Sequence, residues 1–240
     1  MRPVLWGLLF AVLCLPLAFV LFLIPAAKYP GMDSLTMKLP AGVRSVVAEL
    51  ALHHAGYGKD SVAQIDRVVR LDPESAGAWT RRCASSQSGR IATCQKAIDL
   101  DPEPWNFNGL GLAQEQAKDY CSAEDSFTKA IQNSSNNAIF LRNMARAALR
   151  CGHVNASVAG FEVAEGLDAK AVADPDDDGE TKDDLTMDRE YLAVVYDRMN
   201  EPAKATGVCA KAHPGWTACR CELNDSGVKF SGDPEKSHQR

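Results

Sequence analysis

Two segments of the chain read almost alike, and each ends in the same way. Arg67–Glu74 reads RVVRLDPE and Lys96–Glu103 reads KAIDLDPE, and a tryptophan follows each within a few residues, at Trp79 and Trp105. A helix that ends in Leu-Asp-Pro, with an aromatic residue opening the next helix, is typical of an array of stacked helix pairs. Such arrays usually bind other proteins, so the repeat predicts an all-α, non-enzymatic interaction protein.

A pattern of large, small and aromatic residues occurs twice, 34 residues apart. In the first of these repeats, over residues 106–133, a large–small pair lies on one helix and an Ala-aromatic-Ala series lies on the next. The following repeat has both features again, with Gly152 at its turn. Small residues let two antiparallel helices approach closely, and the aromatic ring fills the remaining space. The matched residues are Leu110 with Met144, Gly111 with Ala145, Ala123 with Ser157, Phe127 with Phe161, and Ala130 with Ala164.

These positions and their period resemble the tetratricopeptide repeat (TPR) family. A later unit fits the same pattern, with Leu192–Ala193 as its large–small pair and a helix end at Pro214. Two weaker units come earlier and end at Pro73 and Pro102. The resemblance covers residues 43–214. It implies a right-handed superhelix of antiparallel helix pairs that binds a protein or peptide partner.

The amino-terminal segment has a different composition. Its first 27 residues carry one charged side chain, Arg2, and are mostly large apolar residues. This apolar segment is long enough for a membrane-spanning helix of ~20 residues. We expect residues 1–27 to be an uncleaved signal anchor, with the amino terminus cytoplasmic and the repeat domain extracytoplasmic. A cleaved signal peptide, which would give a secreted protein, is the alternative. Residues 28–42, with two Pro-Gly-type breaks, are expected to be a linker.

Seven of the eight cysteines follow this apolar segment, which is typical of an exported domain with disulfides. If the repeats stack as the resemblance implies, Cys83 and Cys94 face each other across a shortened hairpin. Cys121 and Cys151 then lie at the same end of the stack. An odd number leaves at least one cysteine free or paired between chains. We expect Cys209 to bond to either Cys219 or Cys221.

Three arginines, Arg142, Arg146 and Arg150, recur at four-residue spacing and therefore form one stripe of a helix. Guanidinium groups bind carboxylates through two parallel hydrogen bonds. Because the first helix of each TPR unit lines the concave surface, the resemblance implies a groove for an acidic or C-terminal peptide. An ordinary solvated basic face is the alternative. The candidate contacts are Arg142, Arg146, Arg150, Asn143, Asn108 and Trp105.

An acidic insertion over residues 169–185 carries carboxylates at alternate positions, Asp174, Asp176 and Asp178, followed by Gly179. This is the first half of a calcium-binding loop, so calcium is a candidate ligand here. A plain solvated acidic loop is the alternative. A second candidate metal site consists of Cys209, His213, Cys219 and Cys221. For these cysteines, disulfide formation is the preferred interpretation.

No motif in the chain indicates catalysis, and the five histidines are scattered. The net charge of −5 gives no reason to expect a nucleic-acid partner. We therefore predict an adaptor or assembly factor at the membrane, without a cofactor other than the candidate calcium ion. The alternatives are a structural spacer or oligomer without a peptide groove, and a thiol-redox protein that uses an unpaired cysteine. Residues 215–240 are expected to be a C-terminal segment with a flexible tail.

Overall fold

The computed structural model describes residues 23–54, 59–85, 90–174, 180–214, 216–224 and 227–234; residues 59–61, 180 and the last two ranges are described by their backbone alone. The chain divides after Pro102 into two compact units. Each unit consists mainly of antiparallel helix pairs, as the repeat pattern predicts.

The first unit contains two helix pairs and a short amino-terminal part. The pairs are α3 with α4 and α5 with α6. Small and branched side chains such as Val47, Ala51 and Val68 are fully or almost fully buried between α3 and α4. The helical segments are residues 23–28 (α1), a 3₁₀ turn at Pro30–Met32, α2 (Asp33–Thr36), α3 (Ala41–His54), α4 (Lys59–Leu71), α5 (Ala76–Ser85) and α6 (Arg90–Leu100).

A buried arginine, Arg67 of α4, joins the amino-terminal part to the first helix pair. Its guanidinium donates hydrogen bonds to the backbone carbonyls of Ala26 and Ala27 and pairs with Asp33 at 2.6 Å. The carbonyls at the end of a helix have no partner within that helix, so Arg67 satisfies two of them at the end of α1. Because Arg67 is only 1% exposed, its charge is held by these contacts rather than by water.

The amino-terminal predictions are therefore partly corrected. Residues 1–22 of the predicted anchor lie outside the described residues, but Leu23, Ala26 and Ala27 are buried in the core of the first unit. The predicted linker over 28–42 contains the 3₁₀ turn and α2 because Arg67 and its partners hold it against α4. In the described part of the chain, no helix combines the length and the apolar composition that spanning a membrane requires.

The second unit contains three helix pairs followed by two strands. The pairs are α7 with α8, α9 with α10 and α11 with α12, and α8 also packs on α9 and α10 on α11. The helices are α7 (Pro104–Gln116), α8 (Tyr120–Gln132), α9 (Ala138–Cys151), α10 (Val154–Val172), α11 (Glu180–Arg198) and α12 (Pro202–Ala212).

Local sequence signals set several of these helix boundaries. The side chains of Asp119 and Asn137 accept hydrogen bonds from backbone N–H groups in the first turns of α8 and α9. These contacts satisfy donors that have no partner within the helix. Gly152 ends α9 with a φ of 97°, a left-handed conformation that glycine adopts without strain. The tight connection from α9 to α10 follows from this cap.

The packing between helices confirms the predicted phase of the repeats. Phe127 and Phe161 are fully buried, and each belongs to the second helix of its pair. A β-carbon on Gly111 would lie 2.6 Å from the ring of Phe127, so the absence of a side chain at Gly111 lets α7 and α8 approach. Gly160 similarly packs on Ala145, where a β-carbon would come within 2.8 Å.

The C-terminal segment forms an antiparallel pair of strands, β1 (Trp216–Asn224) and β2 (Gly227–Pro234), which pack near α11 and α12. The prediction of a flexible tail is therefore wrong for residues 227–234. The polar, Ser- and Gly-rich composition of this segment indicated a loose tail. The two strands gain their hydrogen bonds by pairing with each other, and composition alone does not predict such pairing. The remainder of the predicted tail, residues 235–240, lies outside the described residues.

Candidate peptide-binding pocket

A cavity of about 470 Å³ opens in the second unit where the end of α7, the start of α8, the end of α9 and the middle of α11 meet. Its volume falls in the range of pockets that hold small ligands or individual peptide side chains. One of these helices, α9, carries the predicted arginine stripe. The residues that line it are Leu112, Glu115, Gln116, Lys118, Tyr120, Arg146, Arg150, Met187 and Tyr191.

Arg150 and two tyrosines form one wall of this pocket. The guanidinium of Arg150 lies over the ring of Tyr120, 5.3 Å from its centroid, and donates a hydrogen bond to the Tyr120 hydroxyl at 3.2 Å. Tyr191 is 5% exposed and stacks on Phe161 with ring centroids 5.0 Å apart. Burial raises the pKa of Tyr191, although Arg146 and Arg150 act in the opposite direction. Tyr191 therefore stays neutral and can donate its hydroxyl proton to an acceptor.

A second wall contains an internal ion pair. Arg146 donates two hydrogen bonds to the carboxylate of Glu115, at 2.7 and 2.6 Å. This is the bidentate geometry that guanidinium groups favour. Burial lowers the pKa of Arg146, but the bond and charge of Glu115 outweigh it and the net pKa is raised. Arg146 lines the pocket, but the carboxylate of Glu115 already accepts both parallel hydrogen bonds of its guanidinium, and its predicted contact with a peptide stays a prediction.

The charges of the lining residues still favour an anion. Three cations, Lys118, Arg146 and Arg150, and one carboxylate, Glu115, give these residues a net charge of +2. Leu112 and Met187 add apolar surface beside them. A pocket with fixed positive charge, hydroxyl groups and an apolar border can hold a carboxylate together with part of a side chain.

Arg142 does not line the pocket, and its prediction as an exposed contact is wrong. The residue is 5% exposed, and its guanidinium pairs with carboxylates of both following helices. It reaches Asp188 at 2.6 Å, Asp184 at 3.0 Å and Asp168. The cluster ties α9 to α10 and α11. Because three internal carboxylates surround one cation, the guanidinium is fully occupied.

Burial raises the pKa values of two acids in this cluster. Burial raises the pKa of Asp188 to about 7, against the lowering effect of Arg142, and the neighbouring Asp168 raises it further. Burial also raises the pKa of Asp168. The shared cause is burial, which disfavours the charged form of each carboxyl group, so the pKa of Asp188 lies near neutral pH.

The other predicted contacts are divided between the interior and a distant surface. Asn143 donates a hydrogen bond to Asn108 at 2.9 Å, and both side chains are buried between α7 and α9. Trp105 is 55% exposed and makes a T-shaped contact with Phe140, but it lies at the opposite end of α7 from the pocket. Of the six predicted contacts, only Arg146 and Arg150 line the cavity.

Sequence reasoning missed the tyrosines, Lys118 and Met187. Tyr191 and Met187 lie on α11, which follows the acidic insertion, and the insertion breaks the 34-residue period that would have aligned them. Lys118 lies in the turn between α7 and α8 with a φ of 63°, a conformation not evident from periodicity. A weaker signal existed for the internal ion pairs, because Asp184 and Asp188 share one helical face at four-residue spacing.

The acidic insertion is shorter than predicted. α10 continues to Val172 and α11 begins at Glu180, so Asp184 lies on a helix and pairs with Arg142 instead of serving a loop. Asp174 is exposed just after α10, whereas Asp176 and Asp178 lie outside the described residues. Calcium binding therefore stays a prediction.

Both disulfide pairings expected from the repeat stack are present. Cys83 bonds to Cys94, and Cys121 bonds to Cys151. Cys209 is also disulfide-bonded, to a residue whose side chain is not described. The side chains of Cys219 and Cys221 lie outside the described residues, so neither their bonding nor the alternative metal set is tested. Every cysteine with a described side chain is thus oxidised, which gives the thiol-redox alternative no support.

The stacked helix pairs and their small-residue contacts define a TPR fold. Neither family models nor curated protein sequences match the chain. Solved structures do resemble it. MamA residues 41 to the end, from Desulfovibrio magneticus RS-1, is 12% identical with a TM-score of 0.55, over 72% of this chain and 92% of that chain.

Two further structures have the same fold. YrrB, described as a TPR protein with an unusual peptide-binding site, is 13% identical with a TM-score of 0.54, over 77% of this chain and 91% of that one. The C-terminal part of a TPR repeat-containing protein from Cytophaga hutchinsonii is 21% identical with a TM-score of 0.53, over 74% of this chain and 70% of that one. At these identities the likeness establishes the fold and not a shared ligand.

Proposed function

We propose that the protein is a non-catalytic adaptor or assembly factor that binds an acidic or C-terminal peptide of a protein partner in the pocket of the second unit. The observation that carries the proposal is the net charge of +2 on the lining residues, next to the hydroxyl groups of Tyr120 and Tyr191. The peptide-binding site attributed to YrrB supports a peptide as the ligand on this fold.

The interactions with the ligand follow from the geometry of the pocket. The peptide carboxylate accepts hydrogen bonds from the guanidinium of Arg150 and the hydroxyl of Tyr191, and Lys118 contributes long-range attraction at the rim. A neighbouring apolar side chain of the peptide packs on Leu112 and Met187. Arg146 contributes charge but few hydrogen bonds, because Glu115 occupies its fork.

Membrane attachment is part of the same proposal. The apolar composition of residues 1–22, the part of the predicted anchor outside the described residues, favours an anchor with the repeat units outside the cytoplasm, and the disulfides agree with an oxidising compartment. Held in this way, the pocket would concentrate its partner at the membrane surface.

The direct test is binding of synthetic peptides to the full chain, measured by fluorescence anisotropy. A library of fluorescent peptides with free acidic C-termini is compared with the same peptides carrying amidated ends and Asn or Gln in place of acids. We expect binding of the acidic members, weakened at least roughly tenfold by Arg150→Glu, since each lost charge-assisted hydrogen bond is worth about 1.5–3 kcal/mol.

A matched control is Arg189→Glu, because Arg189 also lies on a repeat helix and pairs with Glu165 at 2.9 Å, but outside the pocket. Its affinity should equal that of the unchanged protein. Equal binding of acidic and neutral peptides, or equal losses in the two variants, would reject the pocket as the binding site.

A further inference from the structure

The end of the first two helix pairs of the second unit carries four metal-binding side chains at close quarters. Cys121 and Glu124 lie three residues apart at the start of α8, and therefore on one face of that helix. Cys151 ends α9, and His153 follows it by two residues. In the chain as it stands, Cys121 and Cys151 are joined by a disulfide, and the imidazole of His153 contacts Glu124 at 2.7 Å.

The ligand atoms of three of these residues already form a compact group. One sulfur of Cys151, one carboxylate oxygen of Glu124 and one ring nitrogen of His153 lie within 4.8 Å of one another. The Cys121 sulfur lies beside them because it is bonded to that of Cys151. Two sulfurs, one imidazole nitrogen and one carboxylate oxygen are a ligand set that suits tetrahedral zinc.

The backbone fixes the spacing of the ligands. Gly152 has a φ of 97°, and the backbone N–H of His153 donates to the carbonyl of Ala148 at 2.8 Å. This helix cap holds His153 beside Cys151 whatever the oxidation state of the sulfurs. The Cα atoms of Cys121 and Cys151 are 5.0 Å apart. Zinc would require their sulfurs to separate to roughly 3.8 Å, the edge of a tetrahedron with bonds of ~2.3 Å, which side-chain rotation can provide.

We propose that reduction of the Cys121–Cys151 disulfide creates a zinc site formed by these two cysteines, His153 and Glu124. A dithiol reductant donates two electrons and two protons to the disulfide, giving two thiols, and becomes a disulfide itself. Zinc then binds both sulfurs as thiolates and displaces the two thiol protons to solvent. The disulfide and the metal are thus mutually exclusive ties between α8 and α9.

Exposure favours both steps at this disulfide. Cys121 is exposed, Cys151 is partly buried, and the side chain of His153 is 61% exposed, so reductant and metal can reach the group. The other disulfide provides an internal comparison. Cys83 and Cys94 are only 2% and 0% exposed, and within the described residues the group around Cys151 is the one cluster of metal-binding side chains.

The test uses the full chain, reduced with a phosphine, freed of reductant without oxygen and divided between samples with and without zinc sulfate. Each sample is alkylated with N-ethylmaleimide, and the modified cysteines are assigned by peptide mapping. We expect zinc to slow alkylation of Cys121 and Cys151 but not of Cys83 and Cys94. Mapping by residue keeps metal binding elsewhere in the chain from affecting the result.

Variants then assign the ligands. His153→Ala should raise the zinc concentration needed for half-maximal protection by at least roughly 10–100-fold. That is the loss of metal affinity caused by removing a partner that merely supports a metal ligand. Glu124→Gln should weaken it as well, whereas Asp125→Asn, an exposed neighbour on the same helix, should leave it unchanged. Protection that is equal in the unchanged protein and in His153→Ala would overturn the proposal, as would the absence of zinc-dependent protection.

Circular dichroism of the same samples separates folding from binding. If reduction lowers the helical content, zinc should restore it in the unchanged protein and not in His153→Ala. Zinc should also raise the unfolding temperature of the reduced protein and leave that of the oxidised protein unaltered. Equal stabilisation of the two oxidation states would contradict a site that requires free thiols.

Discussion

Glu115 of α7 and Arg146 of α9 are joined by two parallel hydrogen bonds, at 2.7 and 2.6 Å, across consecutive repeats. The pair has two opposite effects. It ties the first helices of two repeats together, and it cancels one positive charge in the wall of the pocket. Stability and ligand affinity are therefore expected to respond in opposite directions to the loss of the carboxylate.

We predict that Glu115→Gln lowers the free energy of unfolding by about 1–3 kcal/mol, since a hydrogen bond to a charged group is lost in a partly buried site. The same variant should bind acidic peptides several-fold more tightly, because the net charge of the lining residues rises by one. Chemical denaturation and fluorescence anisotropy measure the two effects. Glu165→Gln, which breaks a similar pair with Arg189 away from the pocket, should lower stability without changing affinity.

Two glycines of α10 should respond oppositely to alanine. A β-carbon on Gly160 would lie 2.8 Å from that of Ala145 and 2.9 Å from Met144, whereas one on Gly166 would meet nothing within 4 Å. We predict that Gly160→Ala costs roughly 1–3 kcal/mol through overpacking. Gly166→Ala should instead stabilise the protein by up to about 1 kcal/mol through helix propensity. Thermal unfolding of the two variants decides the matter, and equal effects would be inconsistent with this packing.

The Arg142 cluster predicts a specific pH dependence. The raised pKa of Asp188, about 7 compared with 3.8, means that the folded protein keeps a proton that the unfolded chain releases. The contribution to stability is therefore complete below pH ~4, declines as the pH rises and is lost above pH ~7, by on the order of 2–4 kcal/mol. Asp188→Asn, which resembles the protonated acid, should remove this decline.

The comparison is made by urea denaturation at intervals from pH 4 to pH 8. Asp183→Asn, an exposed acid on the same helix, serves as the control and should show the same decline as the unchanged protein. Curves of the same slope for Asp188→Asn and the unchanged protein would mean that Asp188 is ionised throughout this range.

Arg67 should control the attachment of the amino-terminal part. Arg67→Met leaves the buried carbonyls of Ala26 and Ala27 without their donor, and we predict a loss of roughly 2–4 kcal/mol. Hydrogen exchange should accelerate over residues 23–36 more than over α5 and α6. Arg70→Met, an exposed position one turn away on α4, should change neither quantity. Uniform acceleration across the first unit would show that Arg67 supports the whole unit rather than this attachment.

Features encoded within one repeat could be predicted from the sequence. The period of 34 residues aligned Gly111 with Ala145 and Phe127 with Phe161. Within each repeat the predicted partners pack together, because Gly111 faces Phe127 and Ala145 shares a core cluster with Phe161. The pairing of Cys121 with Cys151 followed from the same alignment, because Cys121 lies at the start of the second helix of one repeat and Cys151 at the end of the first helix of the next.

The burial and the partners of the three arginines could not be predicted from the repeat pattern. Helical periodicity showed that Arg142, Arg146 and Arg150 share a face, but not which groups pack against that face. Two of the partners of Arg142, Asp168 and Asp188, lie 26 and 46 residues later, one before and one after the predicted insertion. Only the packing of α10 and α11 brings these acids together, so one arginine became buried, one was neutralised and one remained at the pocket.

The Cys83–Cys94 and Cys121–Cys151 disulfides also limit how far the chain extends under mechanical force. Bonds that close sequence separations of 30 and 11 residues remove those segments from the length that tension can unfold. The larger loop alone withholds roughly 100 Å of contour, at ~3.3–3.6 Å per residue. A protein stretched between its ends would therefore transmit the load across the Cys121–Cys151 bond, and the residues between these cysteines would bear no tension.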